Sequence, residues 1–268
     1  MANYVHNDDL PQAFVNACLI LIHLNAPCEP LLHGPPDQGN LYYFISPAFR
    51  GSLTQDGLAT FGDQHILSLV AEVTTRALKA AWFQKWFVHT RLRPEEFGAL
   101  IDRHLRTVSS YPINGEILGS AVLPHIFNAT VANLLPQAYP EGSPLHPSYP
   151  SGHATIAGAC VTILKAYFDE SFIIQNPVIP DPADATHLVP YVGPPGEPPL
   201  TVGGELNKLA SNIALGWNFA GLHYRSDYIE GLRLGEEVAI GILEEQKITY
   251  NENFSFTFTR FDDRAITI

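Results

Sequence analysis

HPSYPSGHATIAGACVTILKAYF, residues 146–168, joins a proline-rich beginning to an apolar run with helical spacing. The prolines favour extended backbone, and Ser151 is a suitable N-cap for the helix that follows. The free N–H groups of the first helical turn and the helix dipole form an anion site, because Gly152 lets the backbone approach a ligand and His153 lies at the rim. A plain helix cap with a structural histidine is the alternative interpretation.

The rest of the chain predicts a mainly α fold. Alternating apolar and polar residues between positions 254 and 268 predict a small C-terminal β-hairpin. The Pro-, Asp- and Gly-rich residues 177–199 predict an irregular surface excursion rather than a linker. We therefore expect a single helical domain over residues 1–268. The other stretches with helical spacing are residues 12–26, 65–88, 115–138, 204–217 and 226–247.

Composition excludes several classes of protein. With 46% hydrophobic and 16% charged residues among 268, the chain can bury a substantial core. Its formal net charge of −12 repels a phosphate backbone, so nucleic acid is not an expected partner. Residues 12–26 fall short of the roughly 20 apolar residues that a membrane span needs, and they predict a core helix instead. The cysteines lack the spacing of a metal site, and they are Cys18, Cys28 and Cys160.

A second cluster carries positive charge in this acidic chain. The segment KWFVHTRLRPEEF, residues 85–97, places Lys85, Arg91 and Arg93 close together, which favours a site for a small anion. Pro94 ends the preceding helix, and a bend there would aim Lys85 and Arg93 at one point. A solvated helix face with ordinary surface cations is the alternative, and Arg91 receives no role.

A third cluster pairs an imidazole with a carboxylate. In LGWNFAGLHYRSDYIEG, residues 215–231, His223 and Asp227 are four residues apart. On one helical face the carboxylate would orient the imidazole, as in metal-ligand or nucleophile sites. The alternative is a core histidine beside a helix start, where Ser226 and Asp227 are both favoured residues.

Together, the three clusters resemble the vanadium-dependent haloperoxidases and their type 2 phosphatidic acid phosphatase relatives. The agreement lies in the order and spacing of Lys85, Arg93-Pro94, Ser151-Gly152-His153, and His223 with Asp227. The patterns KW-x-VH-x3-RPE, HPSYPSGHA and AG-x-HYRSD are similar to the algal and cyanobacterial bromoperoxidase branch. The resemblance runs from Phe14 to Ile268 and covers the C-terminal half of longer haloperoxidases. It implies the helical bundle of the haloperoxidase and acid phosphatase type.

The resemblance also implies a bound orthovanadate ion and a role for each matching residue. His223 would bond the vanadium, with Asp227 supporting the imidazole, and His153 would be the acid/base on the opposite side. His146 and Trp82 would line the pocket for halide and peroxide. The expected contacts of the vanadate oxygens are Lys85, Arg93, Ser151, the Gly152 amide and His153.

The implied reaction is the oxidation of bromide or iodide by hydrogen peroxide to hypohalous acid, which then reacts with small organic acceptors. Lys85 would polarise the peroxide, and vanadium would act as a Lewis acid without changing its oxidation state. One rival is an acid phosphatase, with His223 as nucleophile and a phosphoryl group in the same pocket. The other is a catalytically silent, truncated homologue. The compartment is left open.

Two features depart from the family pattern. The family has an arginine six residues before the axial histidine, where this chain has Trp217. Hydrogen bonds to charged groups are worth about 1.5–3 kcal/mol, so vanadate affinity is expected to fall by roughly tenfold to a hundredfold and activity to be impaired. A packing role for Trp217 is the alternative. Because the resemblance lacks an upstream half, we also expect a homo-oligomer or association with a missing N-terminal helical half.

Overall fold

The described part of the chain is mainly helical, as the sequence predicts. The computed structural model describes residues 1–24, 26–27, 54, 61–251 and 254–268. The helices are α1 (Ala2–Asn7), α2 (Gln12–His23), α3 (Asp63–Phe83), α4 (Pro94–Leu105), α5 (Gly115–Leu118), α6 (Val122–Thr130), α7 (Gly152–Tyr167), α8 (Val202–Phe219) and α9 (Arg225–Thr249). The strands form two antiparallel pairs, β1 (Val178–Pro180) with β2 (Leu188–Pro190) and β3 (Thr257–Thr259) with β4 (Ala265–Thr267).

Two local predictions are confirmed. The C-terminal hairpin is β3–β4, in which Phe258 is buried and pairs with Ile266. The expected core helix near the start of the chain is α2, which buries Phe14 and Cys18. Cys18 and Cys160 are buried, whereas Cys28 lies outside the described residues.

Three boundaries differ from the sequence predictions. The continuous helix expected over residues 115–138 is wrong, because Gly119 ends α5 and Val131 ends α6 in the left-handed conformation (φ 59°). The excursion at residues 177–199 contains the β1–β2 hairpin, whose three-residue strands are too short to produce an alternating pattern. The helix stop predicted at Pro94 is wrong, because the preceding helical run ends at His89 with Thr90 in the left-handed conformation, and Pro94 instead begins α4, where proline is favoured in the first turn.

The chain divides into two compact units. Unit 1 comprises Met1–Leu10, Thr74–Ala159 and Ala210–Val238, and unit 2 comprises Pro11–Val73, Cys160–Leu209 and Ala239–Ile268. Every site residue that the sequence singles out falls within unit 1. The single domain expected over residues 1–268 stays a prediction.

Within unit 1, glycines let the first halves of α7 and α9 approach closely. A Cβ added to Gly235 would lie 1.9 Å from the Thr155 carbonyl oxygen, and one added to Gly158 would lie 2.1 Å from the Leu232 carbonyl oxygen. No side chain fits at such distances, so these positions require glycine. The close crossing brings together the beginnings of the two helices, where two of the predicted site clusters lie.

Within unit 2, a buried lysine anchors the C-terminal hairpin. Lys165 is 1% exposed, and its Nζ donates to the Thr259 carbonyl oxygen and lies 3.4 Å from Glu170 Oε2. The backbone N–H of Thr259 donates to Glu170 Oε1 at 2.5 Å. The Lys165–Glu170 ion pair therefore binds both the carbonyl oxygen and the backbone N–H of Thr259, a residue of β3.

Candidate active site

Lys85 lies in a π-helical turn, Gln84–His89, that continues α3. The turn ends at Thr90, whose left-handed backbone (φ 42°) allows its N–H to donate to the Lys85 carbonyl at 3.0 Å. The side chain of Lys85 is buried, and Nζ donates to the carbonyl oxygens of Pro147 (2.7 Å) and Ser148 (3.1 Å). Lys85 thus reaches the extended segment that precedes α7.

Arg93 connects the cationic cluster to the imidazoles of His146 and His223. It is the N-cap of α4, where its backbone N–H donates to Glu96 Oε2 at 2.9 Å. Its buried guanidinium donates from Nε to the His146 carbonyl (2.9 Å) and from Nη1 to the Leu222 carbonyl (3.0 Å). Nη1 also lies 3.1 Å from His223 Nε2, and Nη2 lies 2.9 Å from His146 Nδ1. The three sequence clusters therefore meet at this side chain.

The buried carboxylate of Asp227 accepts hydrogen bonds from four residues. His223 Nδ1 donates to Oδ2 at 2.9 Å, the Tyr224 backbone N–H donates to Oδ2 at 3.0 Å, and the Ser148 hydroxyl also donates to Oδ2. Arg91 Nη1 donates to Oδ1 at 2.9 Å. A carboxylate with these donors has a fixed orientation, so it fixes the His223 ring as well.

The imidazole of His223 is neutral, with its free lone pair on Nε2. Burial lowers the pKa of His223 to about 3, although the hydrogen bond to Asp227 opposes this shift. An ionised carboxylate can only accept, so the ring proton lies on Nδ1 and the Nε2 lone pair faces Arg93. Burial also lowers the pKa of His146 to about 4 and, together with Arg93, that of Lys85 to about 7.

At the beginning of α7, Ser151 is buried and Gly152 is not crowded. Ser151 Oγ accepts from the Ala154 backbone N–H at 3.5 Å, and the Ser151 N–H donates to the Asp227 carbonyl at 3.0 Å. A Cβ added to Gly152 would meet one described atom within 4 Å, Leu78 Cδ1 at an ordinary 3.6 Å. Packing against the described residues therefore does not require a glycine at this position.

His153 is held by a carboxylate that the sequence does not reveal. Its Nε2 lies 3.1 Å from Oδ1 of Asp8, whose side chain is 3% exposed. Asp8 follows α1 and is 145 residues away along the chain. The ring of Trp217 also stands edge-on to the ring of His153, with the two ring centroids 5.2 Å apart.

Trp217 lies near the end of α8 among other rings. Its centroid is 5.7 Å from Tyr139 and 6.3 Å from His6. The indole Nε1 is buried and has no hydrogen-bond partner among the residues that the structure describes. The packing role that the sequence allowed for Trp217 therefore leaves its polar atom unsatisfied.

Most of the predicted site residues come together, and Trp82 differs from the rest. Trp82 is 48% exposed, and within the described ranges no hydrogen bond or ring contact joins it to the cluster. Sequence reasoning missed Asp8 and Ser148 as contributors and gave Arg91 no role beyond the positive cluster. Ser148 and Arg91 lie within the quoted patterns HPSYPSGHA and KW-x-VH-x3-RPE, whereas Asp8 carries no local signal. The predicted residues in the cluster are Lys85, Arg93, His146, Ser151, Gly152, His153, Trp217, His223 and Asp227.

Comparison with known proteins identifies the family. A family model described as the VCPO second helical-bundle domain matches residues 65–251. The chain belongs to this family. The haloperoxidase resemblance of the sequence and its helical-bundle fold are thereby confirmed. Among the described residues, no helix is both long and apolar enough to cross a membrane.

The relatives of the chain include vanadium-dependent bromoperoxidases. The whole chain is 45% identical over 289 residues to a vanadium-dependent bromoperoxidase from Corallina officinalis, of which it covers 45%, and 33% identical over 280 residues to one from Ascophyllum nodosum, of which it covers 47%. The homohexameric structure of the second vanadate-dependent bromoperoxidase from Ascophyllum nodosum superimposes with a TM-score of 0.81 at 28% identity, over all of this chain and 48% of that one. The chain spans about half the length of these relatives.

Proposed function

We propose that this chain forms the vanadate site of a haloperoxidase that oxidises bromide or iodide with hydrogen peroxide to hypohalous acid. The observation that carries the proposal is the meeting of a neutral His223 Nε2 with the guanidinium of Arg93 at 3.1 Å. An imidazole must be neutral to bond a metal centre, and an oxyanion needs cations around it. The names of the relatives support vanadate as the cofactor.

The residues fit vanadate by the chemistry of their donors. His223 would bond the vanadium, and the oxygens would be held by Lys85, Arg93, the Ser151 hydroxyl and the Gly152 amide. The N–H groups of the first turn of α7, which begins at Gly152, support an anion at the helix start. When bound, vanadate would supply a Lewis acid that activates hydrogen peroxide.

The remaining residues have proposed roles around the reacting peroxide and halide. His153, oriented by Asp8, would hold or release a proton during the reaction. Lys85 would polarise the peroxide, since its pKa of about 7 allows it to donate near neutral pH. His146 would lie beside the halide, with Trp82 as the outer wall of that pocket. Small organic acceptors would react with the released hypohalous acid.

The amount of vanadium that stays bound after dialysis tests the proposal. Purified chain is loaded with orthovanadate, dialysed and analysed for vanadium, with His223→Ala as the matched variant. We expect close to one vanadium per chain in the wild type and a large loss in the variant. Absence of vanadium from both would contradict the proposal.

Paired activity assays separate the haloperoxidase from a phosphatase. Bromination of a dye is measured with and without vanadate beside phosphate release from a monoester. Vanadate-dependent bromination supports the proposal. Phosphate release without bromination would replace it with the acid phosphatase alternative, in which the neutral His223 would be the nucleophile.

We propose further that Trp217 impairs the activity without abolishing the site. Trp217→Arg should raise vanadate affinity by about tenfold to a hundredfold, because a guanidinium adds charge and two donors. Bromination should rise with it. A folded, vanadium-loaded Trp217→Arg variant that brominates nothing would favour the catalytically silent alternative.

We also propose that the chain associates with further copies of itself. The exposed aromatic patch, defined as Phe83, Trp86, Phe87 and Val88, has side chains between 52% and 80% exposed. Phe83 and Phe87 stack at 5.5 Å. Apolar groups grouped in this way on a surface are typical of protein contacts, and the bromoperoxidase of known structure from Ascophyllum nodosum is homohexameric.

A further inference from the structure

The indole N–H of Trp217 is a hydrogen-bond donor without an acceptor. Nε1 is buried, and the described residues offer it no hydrogen-bond partner. Buried tryptophan N–H groups usually have an acceptor, because desolvating a donor without replacing its hydrogen bond is unfavourable. The unsatisfied atom therefore points to an acceptor that is not part of the described protein.

The rings beside Trp217 and the carboxylate beside His153 have other partners, whereas Oδ1 of the adjacent Asn218 is buried and, like Trp217 Nε1, has no hydrogen-bond partner among the described residues. The hydroxyl of Tyr139 donates to the Ala2 carbonyl at 2.6 Å, and the Asp8 carboxylate faces His153. His6 Nε2 lies 3.0 Å from Glu141 Oε1. These contacts hold the neighbouring rings in position, and none of them provides an acceptor for the indole N–H.

The position of the ring connects this donor to the candidate site. Trp217 stands edge-on to His153 at 5.2 Å, and His153 follows Gly152 in the first turn of α7. The N–H groups of that turn favour an anion. An oxyanion oxygen is an acceptor of the kind that Nε1 lacks.

We infer that the indole N–H of Trp217 donates a hydrogen bond to the oxyanion bound at the start of α7. The inference rests on the proposed function for the identity of the ion as vanadate. A neutral donor in this position supplies one hydrogen bond and no charge. Trp217 is then a binding residue, and replacing it by an apolar side chain should weaken anion binding.

The first test observes the indole N–H directly, without any measurement of activity. The chain contains three tryptophans, so ¹⁵N labelling gives three indole signals. Trp86, which is 52% exposed, serves as the internal reference, and the spectra of Trp86→Phe and Trp217→Phe assign these two signals. Orthovanadate should move the Trp217 signal downfield and leave the Trp86 signal in place.

The second test compares variants by equilibrium dialysis of orthovanadate. Trp217→Phe keeps an aromatic ring but loses the N–H, and it should bind about tenfold more weakly. Trp217→His keeps a ring N–H and should restore part of the affinity. Trp86→Phe is the matched control for the same change at an exposed position and should bind like the wild type. Thermal unfolding of each variant verifies its fold.

The outcomes separate this inference from the proposed function. If the wild type binds vanadate but the Trp217 signal stays in place and Trp217→Phe binds equally well, the inference is wrong and the proposed function stands. If vanadate does not bind, the proposed function fails, and inorganic phosphate is used as the probe. A Trp217 signal that moves with phosphate supports an anion-binding indole, whereas binding of neither ion overturns it.

Discussion

At the scale of single residues, Asp227 is the point on which the orientation of His223 depends. Its carboxylate accepts hydrogen bonds from Ser148 in the extended segment before α7, from the backbone N–H after His223 and from Arg91. Arg91 approaches from the solvent side, with its side chain 41% exposed, and stacks over the Tyr224 ring at 4.2 Å. We therefore regard Arg91 as a positioning residue for the Asp227–His223 pair.

Replacing Arg91 should affect vanadate binding through Asp227. We expect Arg91→Gln to weaken binding by about threefold to tenfold, since a half-exposed ion pair contributes modestly. Equilibrium dialysis measures the effect. Arg225→Gln, the same charge change at an exposed arginine two residues from Asp227, is the control. Equal losses in both variants would mean that net charge, and not the contact with Asp227, sets the affinity.

The neutral state of His223 should make the vanadate-free protein sensitive to acid. Its folded-state pKa of about 3 lies below the ordinary value of 6.5, so the unfolded chain binds the proton more readily between these values. The resulting stability is complete above about pH 6.5 and is lost as the pH falls towards 3. The unfolding free energy of His223→Gln should show a weaker dependence on pH over this window. Identical pH profiles would contradict the assignment of a neutral, buried imidazole.

Local spacing could predict the residues of the site only where they are close in the sequence. The His223–Asp227 contact follows from a separation of four residues, and the Ser151 cap follows from its place before an apolar helix. The tertiary fold brings Asp8 to His153, and neither the residue types nor their spacing in the sequence predicts this contact. Arg91 resembles any surface cation until its partner is known.

At the scale of elements, the glycine crossing of α7 and α9 sets the distance between two parts of the site. Ser151 directly precedes α7 and Asp227 lies in the first turn of α9, and the Ser151 N–H donates to the Asp227 carbonyl. The sequence predicts both helices but not their contact, because a glycine within a helical pattern indicates only lower helix propensity. The proline of α4 shows a second limit, because Pro94 suggests the end of a helix in the sequence but begins one in the structure.

Enlarging a glycine at the crossing should cost stability, whereas enlarging another glycine of α9 should not. Gly235→Ala should lower the unfolding free energy by about 1–3 kcal/mol, because its methyl group would overlap the Thr155 carbonyl. Gly241, with nothing within 4 Å of an added Cβ, is the matched control in the same helix. Gly241→Ala should be stabilising by about 0.5–1 kcal/mol through helix propensity. Denaturant unfolding measures both, and similar effects would argue against the close crossing.

At the scale of the whole molecule, apolar surface and acidic charge act in opposite directions. The net charge of −12 keeps copies of the chain apart, and the aromatic patch favours their contact. The sequence predicted self-association from the family resemblance. It could not predict which residues are exposed, because Phe83 and Phe87 fit the helical spacing of a core face equally well.

A charge placed in the aromatic patch should reduce self-association. We expect Phe87→Glu to shift the sedimentation profile towards smaller species, because a carboxylate is costly to bury in an apolar contact. Phe219, another phenylalanine with 77% exposure, lies outside the patch and provides the control variant Phe219→Glu. Unchanged profiles for Phe87→Glu would exclude the patch from the contact between copies.

The Arg93 guanidinium beside His223 also affects which forms of a metal can reach His223 Nε2. A simple divalent cation such as zinc is attracted to imidazoles in general, but here it would approach Arg93 and Lys85 at close range and be repelled. A metal that is present as an oxyanion is instead attracted by Arg93 and Lys85. Arg93 thus favours metal oxyanions over metal cations at this site. Any metal that bonds His223 Nε2 must first displace the contact between Arg93 and the Nε2 lone pair.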